Sequence, residues 1–264
     1  MYEFNYSRPS SIDDAVQQAQ ESDESKFIAG GQTLLPTMKH RLASPEQIID
    51  LAAIAELQGV TVTADSVTVG AMTTHAEVAA SQAIKEAIPA LAALAAEIGD
   101  PAVRNRGTLG GSIANNDPAA DYPAALLALG ATVLTSKREL AAEDFFTGLF
   151  ETALDEEELV VSVTFPRPDR ASYYKVANPA SRYAVVGVFV AMFAGKAQVA
   201  VTGATPCAHR ATRIEAALAE SLSVESIDTV EIPVEKMNSD IHASAEYRAQ
   251  LVKVAAQRAL AICL

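Results

Sequence analysis

Residues 106–121 read RGTLGGSIANNDPAAD, and this stretch narrows what the chain can fold into more than any other. Gly107, Gly110, Gly111 and Ser112 stand just ahead of the apolar run PAALLALGA, which reads as a helix. The backbone there has freedom and almost no side chain. Successive glycines let several N–H groups turn toward one concavity, and a missing Cβ admits a ligand close to the main chain. A second segment of this kind, IAGGQTLLP at 28–36, ends a short strand-like run. Neither segment is a P-loop, because no lysine follows the glycines, and GxxGG is not the GxGxxG dinucleotide fingerprint. One Gly-Gly pair reads equally well as a tight turn. Two of them, flanked by the hydroxyls of Thr33, Thr108 and Ser112, also suit a nucleotide-containing anion.

The chain has 264 residues, half of them apolar, enough for two domains or one composite one. Twenty basic against 33 acidic residues argue against a nucleic-acid or anionic-membrane surface as the main partner. The opening MYEFNYSRPS has neither a basic nor an apolar signal region, and no apolar stretch is long enough to span a bilayer. A cytoplasmic location is expected. Cys207 and Cys263 read as reduced thiols unless the fold joins them, and two cysteines cannot hold a four-thiolate iron–sulfur cluster. His40, His75, His209 and His242 show no metal-ligand spacing and are expected on the surface or in loops.

The patterns predict an α+β chain. Ser11 is placed to cap a helix over SSIDDAVQQAQES, and KFIAGG and PEQIIDL read as short strands. GVTVTADSVTVG alternates like a hairpin, and residues 74–98 read as two helices broken near Pro89. ATVLTS and ELVVSVTFP follow as strands. AVVGVFVAMFAG and AQVAVTGA predict an antiparallel pair, and His242 to Leu264 a closing helix. The Pro-bracketed turn near residue 168 is the expected domain boundary.

IAGGQTLLP together with VRNRGTLGGSIANNDPAADYPAALLALGA resembles the two FAD-binding segments of the flavoprotein (medium) subunit of molybdenum hydroxylases, the carbon monoxide and xanthine dehydrogenase type. The opening YxRPxSxxxA pattern and SRYAVVGV extend the resemblance over essentially the whole chain. It implies an FAD-binding fold of two α/β subdomains, of the vanillyl-alcohol-oxidase type, over 1–168 (about 1–57 and 58–168). A C-terminal domain of antiparallel sheet and helix over 169–264 completes it. It also implies that Ala29, Gly30, Gly31, Gln32, Thr33, Leu34 and Leu35 wrap the FAD pyrophosphate from one side. Thr108, Gly110, Gly111, Ser112 and Ala114 would do so from the other, with their amides aimed at the phosphates.

The remaining candidates divide between residue chemistry and resemblance. Asp117 reads as a turn former before Pro118. Asp121 reads as a helix cap, whereas the resemblance gives it a hydrogen bond to the sugar portion of the cofactor. Tyr183 alone reads as core, and the resemblance places it beside the isoalloxazine. Arg182 is either a charge near the flavin or a solvent-facing one, and Lys175 is a weaker candidate for the same region. Arg104 and Arg106, taken as extended, share a face and support the loop or meet an acidic partner. The resemblance further implies an electron-transfer role. A small subunit with [2Fe–2S] clusters and a large subunit with the molybdenum cofactor would complete a heterotrimer or a dimer of heterotrimers. A stand-alone flavin oxidase and a flavin-free assembly protein are the rival readings.

Overall fold

The computed structural model describes residues 1–264. Ser11 caps the first helix as expected, its Oγ accepting from Asp14 N–H at 3.2 Å, and the helix runs Ile12–Ala19 (α1) with Ala15 and Ala19 buried. It packs on a small parallel sheet of Asn5–Ser7 (β1), Ser25–Ile28 (β2) and Gln47–Asp50 (β3), in the order β1-β3-β2. Between β2 and β3 the first glycine loop leads into the short helix Leu34–Lys39 (α2).

The predicted hairpin forms from Val60–Val62 (β4) and Ser66–Gly70 (β5), with Val67 and Val69 wholly buried on its inner face. Residues 74–98 depart from expectation. They fold into three helices, His75–Ala80 (α3), Gln82–Ala87 (α4) and Pro89–Ala96 (α5). Ser81 causes the additional break, because it ends α3 in a non-helical conformation and its side chain caps α4 through Ile84 N–H. Pro89 then opens α5 at its first turn, where a missing N–H costs nothing.

Pro101–Arg104 (α6) is a helical turn capped by Asp100, which corrects the extended reading of Arg104 and Arg106. Arg104 turns back to donate to the carbonyls of Ile98 and Gly99, at 2.9 and 3.1 Å. The second glycine segment forms Leu109–Asn115 (α7), and Tyr122–Leu129 (α8) follows with every residue buried. Then come Thr132–Thr135 (β6), Glu139–Ala141 (β7), Ala142–Phe145 (α9) and the small hairpin Phe146–Gly148 (β8) with Glu151–Thr152 (β9). Val160–Pro166 (β10) completes an antiparallel sheet ordered β4-β5-β10-β6-β7.

The C-terminal sheet is antiparallel, with Arg170–Ala177 (β11), Ala184–Phe193 (β12), Lys196–Thr202 (β13) and His209–Arg210 (β14) in sequence order. Thr212–Glu220 (α10) and Ala245–Cys263 (α11) cover one of its faces through Val186, Val188 and Val190. The other face, through Phe189, Ala191 and Ala200, joins the largest apolar cluster together with α5 and α8. The sheet is therefore a shared wall, with apolar side chains on both faces, as its uninterrupted β-branched sequence requires. No helix is long and apolar enough to cross a membrane.

Candidate functional site

A cavity of about 580 Å³ opens where the parallel sheet, the five-stranded sheet and the β11–β12 connection meet. All the site residues expected above except Leu35 line it. Leu35 instead turns its side chain under the first loop, where a Cβ on Gly31 would meet its Cδ1 at 2.9 Å. Residues far apart in sequence, Ala29 to Leu34, Thr108, Gly110 to Ser112, Ala114, Asp121 and Tyr183, thus line one cavity.

The two loops touch. A Cβ on Gly30 would overlap the Arg106 carbonyl and stand 2.7 Å from Gly107 Cα. A Cβ on Gly111 would lie 3.3 Å from Ala29 Cβ. Gly110 is pinned from behind, where a Cβ would come within 2.8 Å of the Ala71 carbonyl oxygen. Of these glycines only Gly31 has a left-handed backbone, at φ +70°. Gly30 and Gly110 are small because main chains meet there, and Gly111 because the Thr108 hydroxyl and Ala29 Cβ crowd it, not because of their dihedral angles.

The loops differ in what their amides do. None of the N–H groups from Ala29 to Thr33 donates to a protein carbonyl, and each of these residues lines the cavity. In the second loop Leu109 N–H goes to Thr73 O, Gly110 to Ala71 O and Ser112 to Thr108 O, at 3.1, 2.8 and 3.0 Å. Gly111 N–H goes to the Thr108 hydroxyl at 3.1 Å. The expectation that both loops aim their amides at a ligand is therefore corrected for Gly110, Gly111 and Ser112. Glycine lets this segment pack against Ala71 and start a helix, which consumes the donors. What remains there is the N–H of Thr108, which donates to no protein acceptor, the side-chain hydroxyl of Ser112, and the hydroxyl proton of Thr108, whose oxygen already serves as the cap.

Asp121 does not cap α8: its backbone is already helical and its side chain makes no cap bond. The carboxylate is 4% exposed, accepts from Tyr173 Oη at 2.6 Å and pairs with Lys175 Nζ at 2.9 Å. Burial raises its pKa, while Lys175 and Tyr173 act in the opposite direction. Lys175 also donates to the Glu97 carbonyl at 3.1 Å, which ties the end of α5 to β11 and the start of α8. Asp117 forms the expected turn, accepting from Ala119 N–H at 2.9 Å. Tyr183 is 53% exposed at the cavity mouth, which corrects the reading of a core tyrosine. Its phenol pKa is raised by partial burial and by Asp117 and Asp121. Arg182 beside it occupies the left-handed region at φ +64°.

Several wall residues went unread in the sequence. Phe150, at the turn of the β8–β9 hairpin with φ +53°, borders the cavity. The buried side chain of Asn116 holds that hairpin, donating to the Gly148 and Glu151 carbonyls at 2.8 Å. His75 is the clearest correction among the histidines, 4% exposed in the wall and packed on Gly107. Its only sequence signal is TTHAEV, a capping box in which Thr74 and Glu77 bond reciprocally and fix the turn that carries it.

This set of groups fits a dinucleotide. The volume lies in the range of ligand sites, and a run of amides without protein acceptors lines it beside bare glycine backbone. The comparisons with known proteins agree. Residues 2–168 match the family described as FAD binding domain in molybdopterin dehydrogenase. The chain is 36% identical to the nicotine 6-hydroxylase medium subunit of Paenarthrobacter nicotinovorans, over 97% of this chain and 96% of that protein. It is 32% identical to the carbon monoxide dehydrogenase medium chain of Hydrogenophaga pseudoflava, over 98% of each. The solved structure of reconstituted CO dehydrogenase from Oligotropha carboxidovorans superposes with a TM-score of 0.91 at 30% identity, covering 99% of this chain and 98% of that one. The chain belongs to the FAD-binding medium subunits of the molybdenum hydroxylase family, and is an oxidoreductase flavoprotein subunit of α+β fold.

Proposed function

We propose that this subunit receives electrons from the [2Fe–2S] clusters of a small partner subunit and passes them to an external acceptor. The oxidation of the organic substrate then takes place at the molybdenum cofactor of a large partner subunit, within a heterotrimer or a dimer of heterotrimers. Bound FAD supplies the chemistry that accepts electrons singly or in pairs and releases them. The observation that carries the reading is the convergence of both glycine loops, Asp121 and Tyr183 on one cavity. The free thiols Cys207 and Cys263 are too few to hold a cluster, so the iron–sulfur donor has to lie on another chain.

Within this reading the chain's own residues bind and orient. The amides of Ala29 to Thr33 donate to the pyrophosphate, and the hydroxyls of Thr108 and Ser112 supply the opposite side. Asp121, held by Lys175 and Tyr173, faces sugar hydroxyls, since a carboxylate is a poor neighbour for phosphate. Tyr183 lies against the isoalloxazine and tunes its potential. The units 1–168 and 169–264 form the FAD-binding and C-terminal domains, both contributing to the site.

The test is the visible spectrum of the purified chain, alone and after reassembly with its two partners. Oxidised-flavin bands, about one FAD released per chain on denaturation, and bleaching by the organic substrate only with both partners present are expected. Bleaching by an organic substrate without partners would replace the proposal with a stand-alone oxidase. A chain that stays colourless with excess FAD and its partners would leave only an assembly role.

A further inference from the structure

One buried polar side chain of the cavity wall, His75, has ring nitrogens that no group of the protein satisfies. His75 opens α3, and its N–H donates to the Gly107 carbonyl at 2.9 Å, so the ring is anchored against the second glycine loop. It fills the space in which Gly107 would carry a side chain: a Cβ there would stand 2.6 Å from Nε2. Nδ1 is sealed from solvent and pairs with nothing, and the same holds for the hydroxyl of Tyr122, whose ring lies 5.4 Å away between centroids. Burial, reinforced by the charge of Arg104, keeps the imidazole neutral, so the ring carries a single N–H. At Nδ1 that proton would meet no acceptor. Nε2, the nitrogen beside Gly107, is then the donor.

Nδ1 stays unpartnered whatever binds; what points to a ligand is Nε2, which has no partner within the protein and, unlike Nδ1, is not sealed from the cavity that His75 lines. This part of the wall has fewer backbone donors than the first loop, since Gly110, Gly111 and Ser112 spend their amides within the protein. We propose that His75 is a cofactor-binding residue whose Nε2–H donates to a pyrophosphate oxygen of FAD from behind the Gly107–Ser112 loop. The inference rests on the reading above that this loop flanks the pyrophosphate. A neutral donor suits the position, because Arg104 already places positive charge nearby.

Two substitutions in the full chain separate binding from packing. His75→Phe keeps a planar ring and removes both nitrogens, whereas His75→Gln restores an N–H donor at nearly the same reach. Flavin affinity is read from fluorescence quenching on titrating FAD into the apo chain, stability from denaturation of that chain, and the contact from 31P resonances of bound FAD. His75→Phe is expected to bind FAD roughly ten- to a hundredfold more weakly, with apo stability unchanged or raised and the pyrophosphate resonances shifted. His75→Gln is expected to recover most of the affinity. FAD binding by His75→Phe as tight as that of the unaltered chain would overturn the proposal while leaving the subunit's function intact. Equal weakening in both variants, with unmoved 31P resonances, would make His75 a packing residue. If His75→Phe fails to fold, 15N-labelled histidine in the unaltered chain decides, because an Nε2–H resonance that FAD does not move overturns the assignment. An unaltered chain that binds no FAD would refute the functional reading itself.

Discussion

Burial under Gly107, with the charge of Arg104 adding to it, lowers the pKa of His75 from 6.5 to about 4. An unfolded chain takes up a proton on this ring as pH falls through 6.5, whereas the folded chain does so only near 4. The folded-state value is depressed, so the unfolded state binds more protons between the two, and stability must fall on acidification through that window. At pH 5 the cost relative to pH 7 is about 2 kcal/mol. Denaturant titrations at the two pH values should show His75→Gln losing about 2 kcal/mol less than the unaltered chain. Equal losses would mean that the folded protein protonates His75 freely. None of this was legible in the sequence. TTHAEV shows a helix start, but the neighbours that bury the ring, Gly107 and Tyr122, lie far along the chain. That the glycines line one cavity follows their sequence pattern, but Gly110 and Gly111, which looked like amide donors, give their N–H groups to Ala71 O and the Thr108 hydroxyl.

Elements whose signal is local were read well. The β4–β5 hairpin follows from strict alternation about a polar turn, and α1 from its serine cap and acidic first turn. Strand β11 was missed because RASYYKVA alternates weakly, and its pairing partner β12 supplies what the segment lacks. The break at Ser81 was missed for the same reason: a single serine inside an Ala-rich run looks tolerable until its side chain caps the next helix. The β12–β13 turn was located, yet one of its residues fits poorly. Ala194 and Gly195 both take positive φ, +48° and +78°, as a two-residue hairpin turn of the mirror-image type requires. Glycine accepts this freely, but an alanine there costs about 1–2 kcal/mol. Asp169 holds it in place by accepting the Ala194 N–H at 2.7 Å. Ala194→Asn would give the preferred Asn-Gly pair and should stabilise the chain by about 0.5–1 kcal/mol. The change is far from the cavity, so thermal melting should move upward while FAD content stays constant. A lower melting temperature would show that the turn is not of this type.

At the scale of the whole molecule, the cavity depends on three segments meeting at Asp121. Glu97 ends α5, Asp121 opens α8, and Tyr173 and Lys175 reach in from β11, with the Lys175 side chain 1% exposed. Each of these residues is visible in the sequence, but their meeting is not, because it requires β11 to lie across α5 and reach the start of α8. A buried pair of this kind adds little net stability over apolar residues of the same shape, but it fixes where its members point. Here it fixes a carboxylate in the wall of the FAD cavity. Removing only the cation is the informative change. Lys175→Met keeps the length and apolar stem of the side chain but leaves Asp121 buried without its counter-charge, which typically costs about 3–5 kcal/mol. Adding Asp121→Asn to that variant removes the stranded charge and should recover a substantial part of the loss, so the two changes will not be additive. Guanidinium unfolding of the apo chain measures both, and flavin content after gel filtration reports the site separately. The double variant should regain stability without regaining full FAD retention, because the carboxylate proposed to face the cofactor's sugar is gone. A Lys175→Met chain within about 1 kcal/mol of the unaltered one would show that the ion pair does not organise this junction.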